Sequence, residues 1–219
     1  MLKPTYPSLE AAGPVSSRAV NPLIAIPIKP FGVAKARLRP KLNAIQRSLL
    51  GKSIALHTVA TAQRTGARVA VVTADDGVAA WAADLGADVI REAPTYGTGL
   101  NGAAAAAVAH ATELDTEWVI LHADLPLLTT ADLEAAFDLF HAGGYVLSPS
   151  YNGGTSLFIG KGSMAFSYGP GSFQRHLTST AGRAAALVRT GLALDLDTPQ
   201  DLAAVERLGV TTTWHSIPG

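Results

Sequence analysis

Short apolar runs alternate with segments of helical periodicity along most of this chain, and this alternation restricts the possible folds more than any other feature. Four runs are predicted to be buried strands, because they are short, rich in branched apolar residues and bounded by turn residues. These runs are residues 23–28 (LIAIPI), 68–73 (RVAVVT), 87–90 (ADVI) and 118–122 (WVILH). Each is followed by a segment that could cross back over a sheet.

The intervening segments carry apolar residues at helical spacing. We predict helices over residues 44–64, 78–85, 103–111 and 130–140, the last capped by Thr130. Gly66 and Gly86 end the first two. Strands that alternate with helices are typical of a mainly parallel sheet covered on both faces. The sequence therefore predicts a three-layer α/β fold.

The second half of the chain departs from this rhythm. Residues 145–147 and 156–159 are predicted strands joined through the Asn152-Gly153-Gly154 turn, and this pair could be antiparallel. A helix is predicted over residues 172–179, capped by Ser172, and another from Pro199 to about residue 208. Residues 185–189 and 192–196 are predicted to be extended. We expect a single domain over residues 21–219, preceded by a flexible tail over residues 1–20.

Composition excludes several classes of function. The formal net charge is +0, so no overall field attracts nucleic acid or an anionic membrane. There is no cysteine, which excludes disulfides, thiolate metal ligands and a cysteine nucleophile. There is no run of 18 apolar residues and no apolar stretch typical of a secretory signal, so we expect a cytoplasmic protein. The oligomeric state stays open.

Cationic residues follow the first predicted strand. The run KPFGVAKARL places Lys29, Lys35 and Arg37 within nine residues, together with a glycine. Positive charge and fixed donors around several oxygens are what a polyphosphate requires. The run contains no Walker pattern, and a solvated basic loop explains the spacing equally well.

Acidic residues follow two other predicted strands. Asp124 comes directly after WVILHA, where working groups of a parallel α/β sheet usually lie. Asp195 and Asp197 are two residues apart, so an extended strand would turn both to one face. Magnesium binds through one or two carboxylates and leaves its other positions to water and phosphate oxygens. The alternatives are a turn role for Asp124 and a helix-capping role for Asp197.

Two glycine-bearing loops complete the candidate site. The loop YGTGLNG allows a base or ribose to approach the backbone closely, with Asn101 as donor and acceptor. The loop YGPGSF leads into a helix, where the N–H groups of Gly171, Ser172 and Phe173 could bind a small anion. The six histidines show no metal-ligand spacing, and His122 is interpreted as structural.

These blocks together resemble the 2-phospho-L-lactate guanylyltransferase family, and within it the actinobacterial phosphoenolpyruvate guanylyltransferases. The blocks are IPIKPFGVAKARL, TGLNGA, LHADLPL, GGTS, YGPGSFQRH and LDLDTPQDL, in this order over residues 23–208. The resemblance implies a Rossmann-like, GT-A-like nucleotidyltransferase fold. It also implies GTP and Mg²⁺, and transfer of GMP to phosphoenolpyruvate or 2-phospho-L-lactate in coenzyme F-420 biosynthesis.

The resemblance also implies roles for particular residues. Asp124, Asp195 and Asp197 would hold the metal, and Thr155, Gly171 and Ser172 would bind the acceptor. Candidate nucleotide-binding residues are Lys29, Lys35, Arg37, Thr73, Gly99 and Asn101, with Lys35 also counted as catalytic.

Two rival functions remain at this stage. One is a molybdopterin or sugar-phosphate nucleotidyltransferase, whose opening loop is usually richer in glycine than KPFGVAKARL. The other is a non-catalytic nucleotide-binding protein, which has no need for three aspartates beside a cationic loop. The choice between the two three-carbon acids stays open, because no side chain identified in the sequence distinguishes them.

Overall fold

The structure is a computed structural model that describes residues 21–140 and 144–209. Its strands are β1 (Leu23–Pro27), β2 (Arg68–Thr73), β3 (Asp88–Arg91), β4 (Trp118–Leu121), β5 (Tyr145–Pro149), β6 (Thr155–Gly160) and β7 (Ala184–Ala186). Its helices are α1 (Ala44–Gln63), α2 (Asp76–Asp84), α3 (Gly99–Glu113), α4 (Thr130–Leu139), α5 (Ser172–Ser179), α6 (Thr190–Ala193) and α7 (Pro199–Arg207). The tail expected over residues 1–20 lies outside the described residues.

All seven strands form one sheet in the order β3-β2-β1-β4-β6-β5-β7. Neighbours are parallel except where β6 pairs with β4 and with β5. The mainly parallel sheet and the antiparallel pairing of the two strands on either side of the Asn152-Gly153-Gly154 turn are therefore confirmed. No helix in the described part of the chain is long and apolar enough to cross a membrane.

Alternate residues of the strands supply two separate cores. Ile24 and Ile26 of β1 pack on the face covered by α1, α2 and α4. Leu23 and Ala25 point to the opposite face, which α3 covers with a row of alanines. Small side chains let this helix lie close to the sheet, and burial of both faces gives the three layers that the alternation predicts.

Several expected boundaries differ from the structure. The helix expected from residue 103 begins at Gly99, because the glycine loop itself enters the first turn. Thr129, and not Thr130, caps α4, and its hydroxyl accepts from the Asp132 N–H. Gly171 in a left-handed conformation, and not Ser172, precedes α5. The extended run expected over residues 192–196 is wrong in part, because Thr190–Ala193 form α6.

The chain order reverses between β1 and β4. From β1 the chain moves outward to β2 and β3, and it then returns to form β4 on the other side of β1. The loops that leave two such strands diverge, and a crevice opens between them at their carboxyl ends. Lys29 and Lys35 follow β1 and Asp124 follows β4, so the sequence-predicted groups meet at this crevice.

The tight packing of β6 on β4 gives a test of this fold. A Cβ atom on Gly160 would lie 2.5 Å from Cζ2 of Trp118 and 2.8 Å from Cδ1 of Tyr145. Both rings belong to the core and have no free space to enter. We expect Gly160→Ala to lower the free energy of unfolding by about 1–3 kcal/mol, measured by urea denaturation.

Gly32→Ala is the matched control, because no atom lies within 4 Å of a Cβ added there. Its free energy of unfolding should stay within about 0.5 kcal/mol of the parent value. Equal unfolding midpoints for the two variants would contradict the close approach of the Gly160 backbone to the Trp118 ring.

Candidate active site

A cavity of about 750 Å³ lies at the carboxyl ends of β1 and β4. Its wall is built from the loop after β1, the start of α3, the loop after β4, the β5–β6 turn, and the segments before α5 and α7. That volume is in the range that accommodates a small-molecule ligand. The cavity is therefore the candidate ligand-binding site.

Lys35 holds the centre of this cavity. Its ammonium donates to Oδ2 of Asp124 at 2.9 Å and to Oδ1 of Asp197 at 3.0 Å, and its side chain is only 7% exposed. Burial alone would lower the pKa of Lys35, but the charges of the two aspartates outweigh burial and raise it. The ammonium is therefore a fixed positive charge between two carboxylates.

The backbone at Lys35 is strained. Its φ of 55° lies in the left-handed region, although it carries a full side chain. Such a conformation costs on the order of 1 kcal/mol for a residue other than glycine. The ion pairs with Asp124 and Asp197 hold the residue in this conformation. The placement of the ammonium between the two carboxylates therefore compensates for the strain of the backbone.

Asp124 carries an oxygen that the protein leaves without a partner. Its Oδ2 accepts from Lys35, whereas the buried Oδ1 accepts no hydrogen bond from the described residues and lies 3.9 Å from Nδ1 of His122. Burial would raise the pKa of Asp124, but the Lys35 charge outweighs it and the pKa is lowered. A half-buried, ionised carboxylate whose second oxygen accepts no hydrogen bond from the described residues is suited to receive a further cation or donor.

A backbone hydrogen bond brings the other two aspartates to this place. The N–H of Leu196 donates to the carbonyl of Asp124 at 3.0 Å, so the segment before α7 runs beside the loop after β4. This segment is not a strand of the sheet, which corrects the expectation for residues 195–197. Thr198 caps α7 through a capping box with Asp201, which leaves the Asp197 carboxylate free to bind Lys35.

Asp195 is the unfavourable member of the group. Its Oδ2 accepts from Nδ2 of Asn152 at 2.7 Å, and the residue is 9% exposed. Burial, followed by the negative charges of Asp124 and Asp197, raises the pKa of Asp195. The fold therefore holds this carboxylate in an environment that opposes its ionisation.

The residues fit a magnesium ion that also uses substrate oxygens. In the described part of the chain, no three acidic or histidine side chains are arranged to hold a metal by themselves. Of the three aspartates expected to hold the metal, Asp124 and Asp197 accept from Lys35 and Asp195 accepts from Asn152, so their role as metal ligands stays a prediction. The unpartnered Asp124 oxygen and the unfavourable Asp195 charge still suit a hard cation that takes one or two carboxylates.

The other two cations of the opening loop are on the rim. Lys29 and Arg37 both line the cavity and are exposed to solvent. Their charges can therefore meet phosphate oxygens that enter from outside. The sequence grouped Lys29, Lys35 and Arg37 as equivalents, whereas the structure separates one buried ion-pair partner from two exposed cations.

The remaining nucleotide-binding candidates fall in different places. Gly99 lines the cavity, with a φ of 63° that only glycine adopts readily. Asn101 is exposed and its Oδ1 accepts from the Tyr168 N–H at 2.7 Å, which joins α3 to the loop before α5. Thr73 is fully buried at the end of β2, where its hydroxyl accepts from the Asp75 N–H. Nothing in this geometry supports a ligand contact for Thr73.

The acceptor candidates surround the start of α5. Ser172 lines the cavity, and its hydroxyl lies 3.3 Å from Oγ1 of the fully buried Thr155. The expected backbone donors are partly engaged: the N–H of Ser172 donates to Gly169, and that of Phe173 donates to Gly153. Two of the three backbone donors expected at this helix terminus are therefore used within the protein, and the Ser172 hydroxyl is a further group that an anion could reach.

Sequence reasoning missed several residues at the site. His122, interpreted as structural, lines the cavity, and its buried Nε2 has no hydrogen-bond partner among residues 21–140 and 144–209. In the same part of the chain the buried Tyr168 hydroxyl also lacks a partner, and Asn152 positions Asp195. Asn152 and Tyr168 stood within glycine-rich turns, and His122 stood two residues before Asp124, so proximity to those motifs was the available signal.

Comparison with known proteins agrees with this geometry. A family model described as "Guanylyl transferase CofC like" matches residues 23–212. Phosphoenolpyruvate guanylyltransferases are similar over 193 residues. The one from Mycolicibacterium gilvum is 34% identical, covering 85% of this chain and 90% of its own. That from Thermomonospora curvata is 35% identical (85% and 83%), and that from Rubrobacter xylanophilus is 34% identical (84% and 93%).

Solved structures show the same fold at low sequence identity. A protein described as a nucleotide-diphospho-sugar transferase from Desulfovibrio desulfuricans matches with a TM-score of 0.72 and 16% identity, covering 90% of this chain and 91% of its own. A CMP:2-keto-3-deoxy-manno-octonic acid synthetase complexed with CTP matches with a TM-score of 0.52 and 15% identity, covering 86% and 98%. The nucleotidyltransferase-like fold expected from the sequence is therefore confirmed.

The raised pKa of Asp195 predicts a stabilising substitution at the site. The folded protein binds this proton more tightly than the unfolded chain, so ionised Asp195 lowers stability at neutral pH. Asp195→Asn removes the charge and keeps an oxygen for Asn152. We expect the free energy of unfolding at pH 7, without metal or nucleotide, to rise by about 1 kcal/mol.

The gain should shrink as the pH falls through the raised pKa of folded Asp195 and vanish below 3.8, the ordinary aspartate pKa, where Asp195 is protonated in both states. Urea unfolding at several pH values measures it. Asp88→Asn is the control, since Asp88 lies in an exposed pair with Arg68. A neutral-pH stability at or below that of the parent protein for Asp195→Asn would contradict the account of this carboxylate.

Proposed function

The chain belongs to the CofC-like guanylyl transferase family, and from this membership and its cavity we propose that it transfers GMP from GTP to phosphoenolpyruvate. The observation that carries the proposal is the buried Lys35 ammonium between Asp124 and Asp197, beside exposed Lys29 and Arg37. The products are enolpyruvoyl-2-diphospho-5'-guanosine and pyrophosphate. The product enters coenzyme F-420 biosynthesis, and we place the enzyme in the cytoplasm with its substrates.

The reaction is one displacement at phosphorus. A phosphate oxygen of the acceptor forms a bond to the α-phosphorus of GTP, the bond from that phosphorus to its bridging β-oxygen breaks, and pyrophosphate leaves with the electron pair. Near neutral pH the acceptor phosphate is already largely ionised, so the protein needs no general base to create the nucleophile. Its task is positioning and charge neutralisation.

The cavity divides this task between two sides. Lys29 and Arg37 on the rim neutralise the triphosphate, and Gly99 lets the nucleotide approach the backbone at the start of α3. Ser172, with Thr155 behind it, binds the anionic acceptor on the opposite wall. Lys35 holds a fixed positive charge between the two sides, close to the reacting oxygens.

Asp124, with Asp195 and Asp197, would hold Mg²⁺ together with phosphate oxygens of the nucleotide. When bound, the ion would neutralise negative charge on the attacking and leaving oxygens. The free oxygen of Asp124 and the opposed ionisation of Asp195 support this assignment.

The acceptor and the metal are tested in one assay. Protein, GTP and Mg²⁺ are incubated with either phosphoenolpyruvate or 2-phospho-L-lactate, pyrophosphate release is followed, and the nucleotide product is identified by mass. We expect release that depends on phosphoenolpyruvate, stops on chelation and returns with added Mg²⁺. Pyrophosphate release only with 2-phospho-L-lactate would identify that acid as the acceptor. No release with either acid would refute the proposed reaction.

Lys35→Met tests the central charge. Loss of the ammonium leaves two carboxylates facing each other and removes positive charge from the reacting oxygens, so we expect kcat to fall by at least about 100-fold. Lys161→Met is the matched control, because Lys161 forms an exposed pair with Asp115. A Lys35→Met enzyme within about threefold of that control would contradict the role of Lys35.

Asp195→Asn and Asp197→Asn test the carboxylates. Each should lose most turnover at saturating Mg²⁺ while far-UV circular dichroism stays unchanged, because the substitution removes a charged ligand and keeps the shape of the side chain. Pyrophosphate release gives the measurement. Near-normal turnover in both variants would remove the metal role assigned to them.

A further inference from the structure

His176 of α5 is a fully buried histidine whose two ring nitrogens both form hydrogen bonds. Nδ1 lies 2.9 Å from Oγ1 of Thr155, and Nε2 accepts from the backbone N–H of Ser167 at 2.9 Å. Phe158, Phe166 and Tyr168 pack their rings around it, with ring centroids 4.7–6.1 Å away. The imidazole is therefore held in one orientation.

The bond from Ser167 determines where the ring carries its hydrogen. A backbone N–H can only donate, so Nε2 of His176 must accept and cannot itself carry a hydrogen. The neutral ring then has its hydrogen on Nδ1 and donates it to Thr155. Burial, and then the nearby charge of Arg175, lower the pKa of His176 to about 4, in keeping with a neutral ring.

The direction of the hydrogen bond from His176 to Thr155 determines which hydrogens the hydroxyl groups of Thr155 and Ser172 can donate at the cavity wall. Thr155 accepts from His176 and lies 3.3 Å from Oγ of Ser172, so one hydrogen joins the two hydroxyls. Two hydroxyl groups carry two hydrogens, and the bond between them uses one. One O–H therefore stays available for an external acceptor.

The opposite ring tautomer would remove this donor. Nδ1 would then accept from Thr155, Ser172 would donate to Thr155, and only oxygen lone pairs would face the cavity. Lone pairs repel an anionic ligand, whereas an O–H binds it. Of the two hydroxyl residues, Ser172 is the one that lines the cavity, because Thr155 lies fully buried behind it.

We propose that His176 is a positioning residue: by donating from Nδ1 to Thr155, it leaves the Ser172 hydroxyl hydrogen to bind the anionic group of the three-carbon acceptor. The inference rests on the proposed function for the identity of the acceptor. The order of donors from Ser167 through His176, Thr155 and Ser172 is a property of the fold alone. The two parts can therefore be tested separately.

Nuclear magnetic resonance tests the first part without activity. Long-range ¹H–¹⁵N spectra of the ¹⁵N-labelled protein distinguish the two neutral tautomers and the cation, and His176→Gln identifies the signals. We expect His176 to be neutral with its hydrogen on Nδ1 from pH 5.5 to 8, values chosen to lie above its pKa of about 4. A hydrogen on Nε2, or a cation at pH 6, would overturn the proposal whatever reaction the enzyme performs.

Two substitutions of His176 separate the positioning role from a packing role. In His176→Asn the amide nitrogen can take the place of Nδ1 and donate to Thr155, but the Ser167 N–H loses its acceptor. In His176→Gln the amide oxygen can accept from Ser167, but the donor to Thr155 is lost. We expect the acceptor KM to rise about tenfold or more in the Gln variant and less than about threefold in the Asn variant, with the GTP KM unchanged.

Thr155 provides the second pair of variants. Thr155→Val interrupts the chain of donors and should raise the acceptor KM about as much as His176→Gln, whereas Thr155→Ser should restore it. Thr61→Val is the matched control, because Thr61 is a fully buried threonine of α1 bonded to Arg64. It should leave both KM values at the parent level, and thermal unfolding shows whether each variant is folded.

The outcomes distinguish this inference from the proposed function. A smaller rise in the acceptor KM for His176→Gln than for His176→Asn would show that His176 only supports the Ser167 loop. That result would overturn the inference. Equal increases in the KM values for acceptor and GTP would overturn it as well. If the parent protein shows no acceptor-dependent turnover, the proposed function fails, and the tautomer of His176 still decides the structural half.

Discussion

The ammonium of Lys35, held between Asp124 and Asp197, is the interaction on which the site depends. It joins the loops that follow β1 and β4 to the segment before α7. Along the chain, Lys35 is 89 residues from Asp124 and 162 residues from Asp197. Without this cation, two carboxylates would face each other across the crevice, and the topological switch point of the sheet would lack its electrostatic centre.

The site is assembled from arrangements that do not favour stability. Lys35 has a left-handed backbone, Asp195 is ionised against its environment, and buried polar atoms of Asp124, His122 and Tyr168 lack partners within the described chain. The Asp195 charge and the unpartnered polar atoms are unfavourable without a ligand, and a cation or a phosphate would supply the missing partner. Their concentration at one end of the sheet, while the two cores are well packed, marks where the fold is shaped for a ligand.

Much of this architecture could be predicted from the sequence, because it rests on local patterns. Runs such as RVAVVT become strands in any context that buries them, and the parallel order follows from the helices between them. The aspartates were found because the working groups of a parallel α/β sheet usually lie beyond the carboxyl ends of its strands. The role of Lys35 as their counter-ion was not predicted, since it depends on a loop conformation that brings together residues far apart in the chain. The helix Thr190–Ala193 was missed because four residues are too short for a periodic signal, and the bonds of His176 depend on its tertiary neighbours.

A crystal structure with Mn²⁺ and a non-hydrolysable GTP analogue would show whether the crevice binds both the metal and the triphosphate, because anomalous scattering locates the ion. We expect manganese bound by Asp124 and at least one of Asp195 and Asp197, with the triphosphate beside Lys29 and Arg37. Nucleotide bound outside the crevice, or an ion that contacts none of these carboxylates, would contradict this expectation.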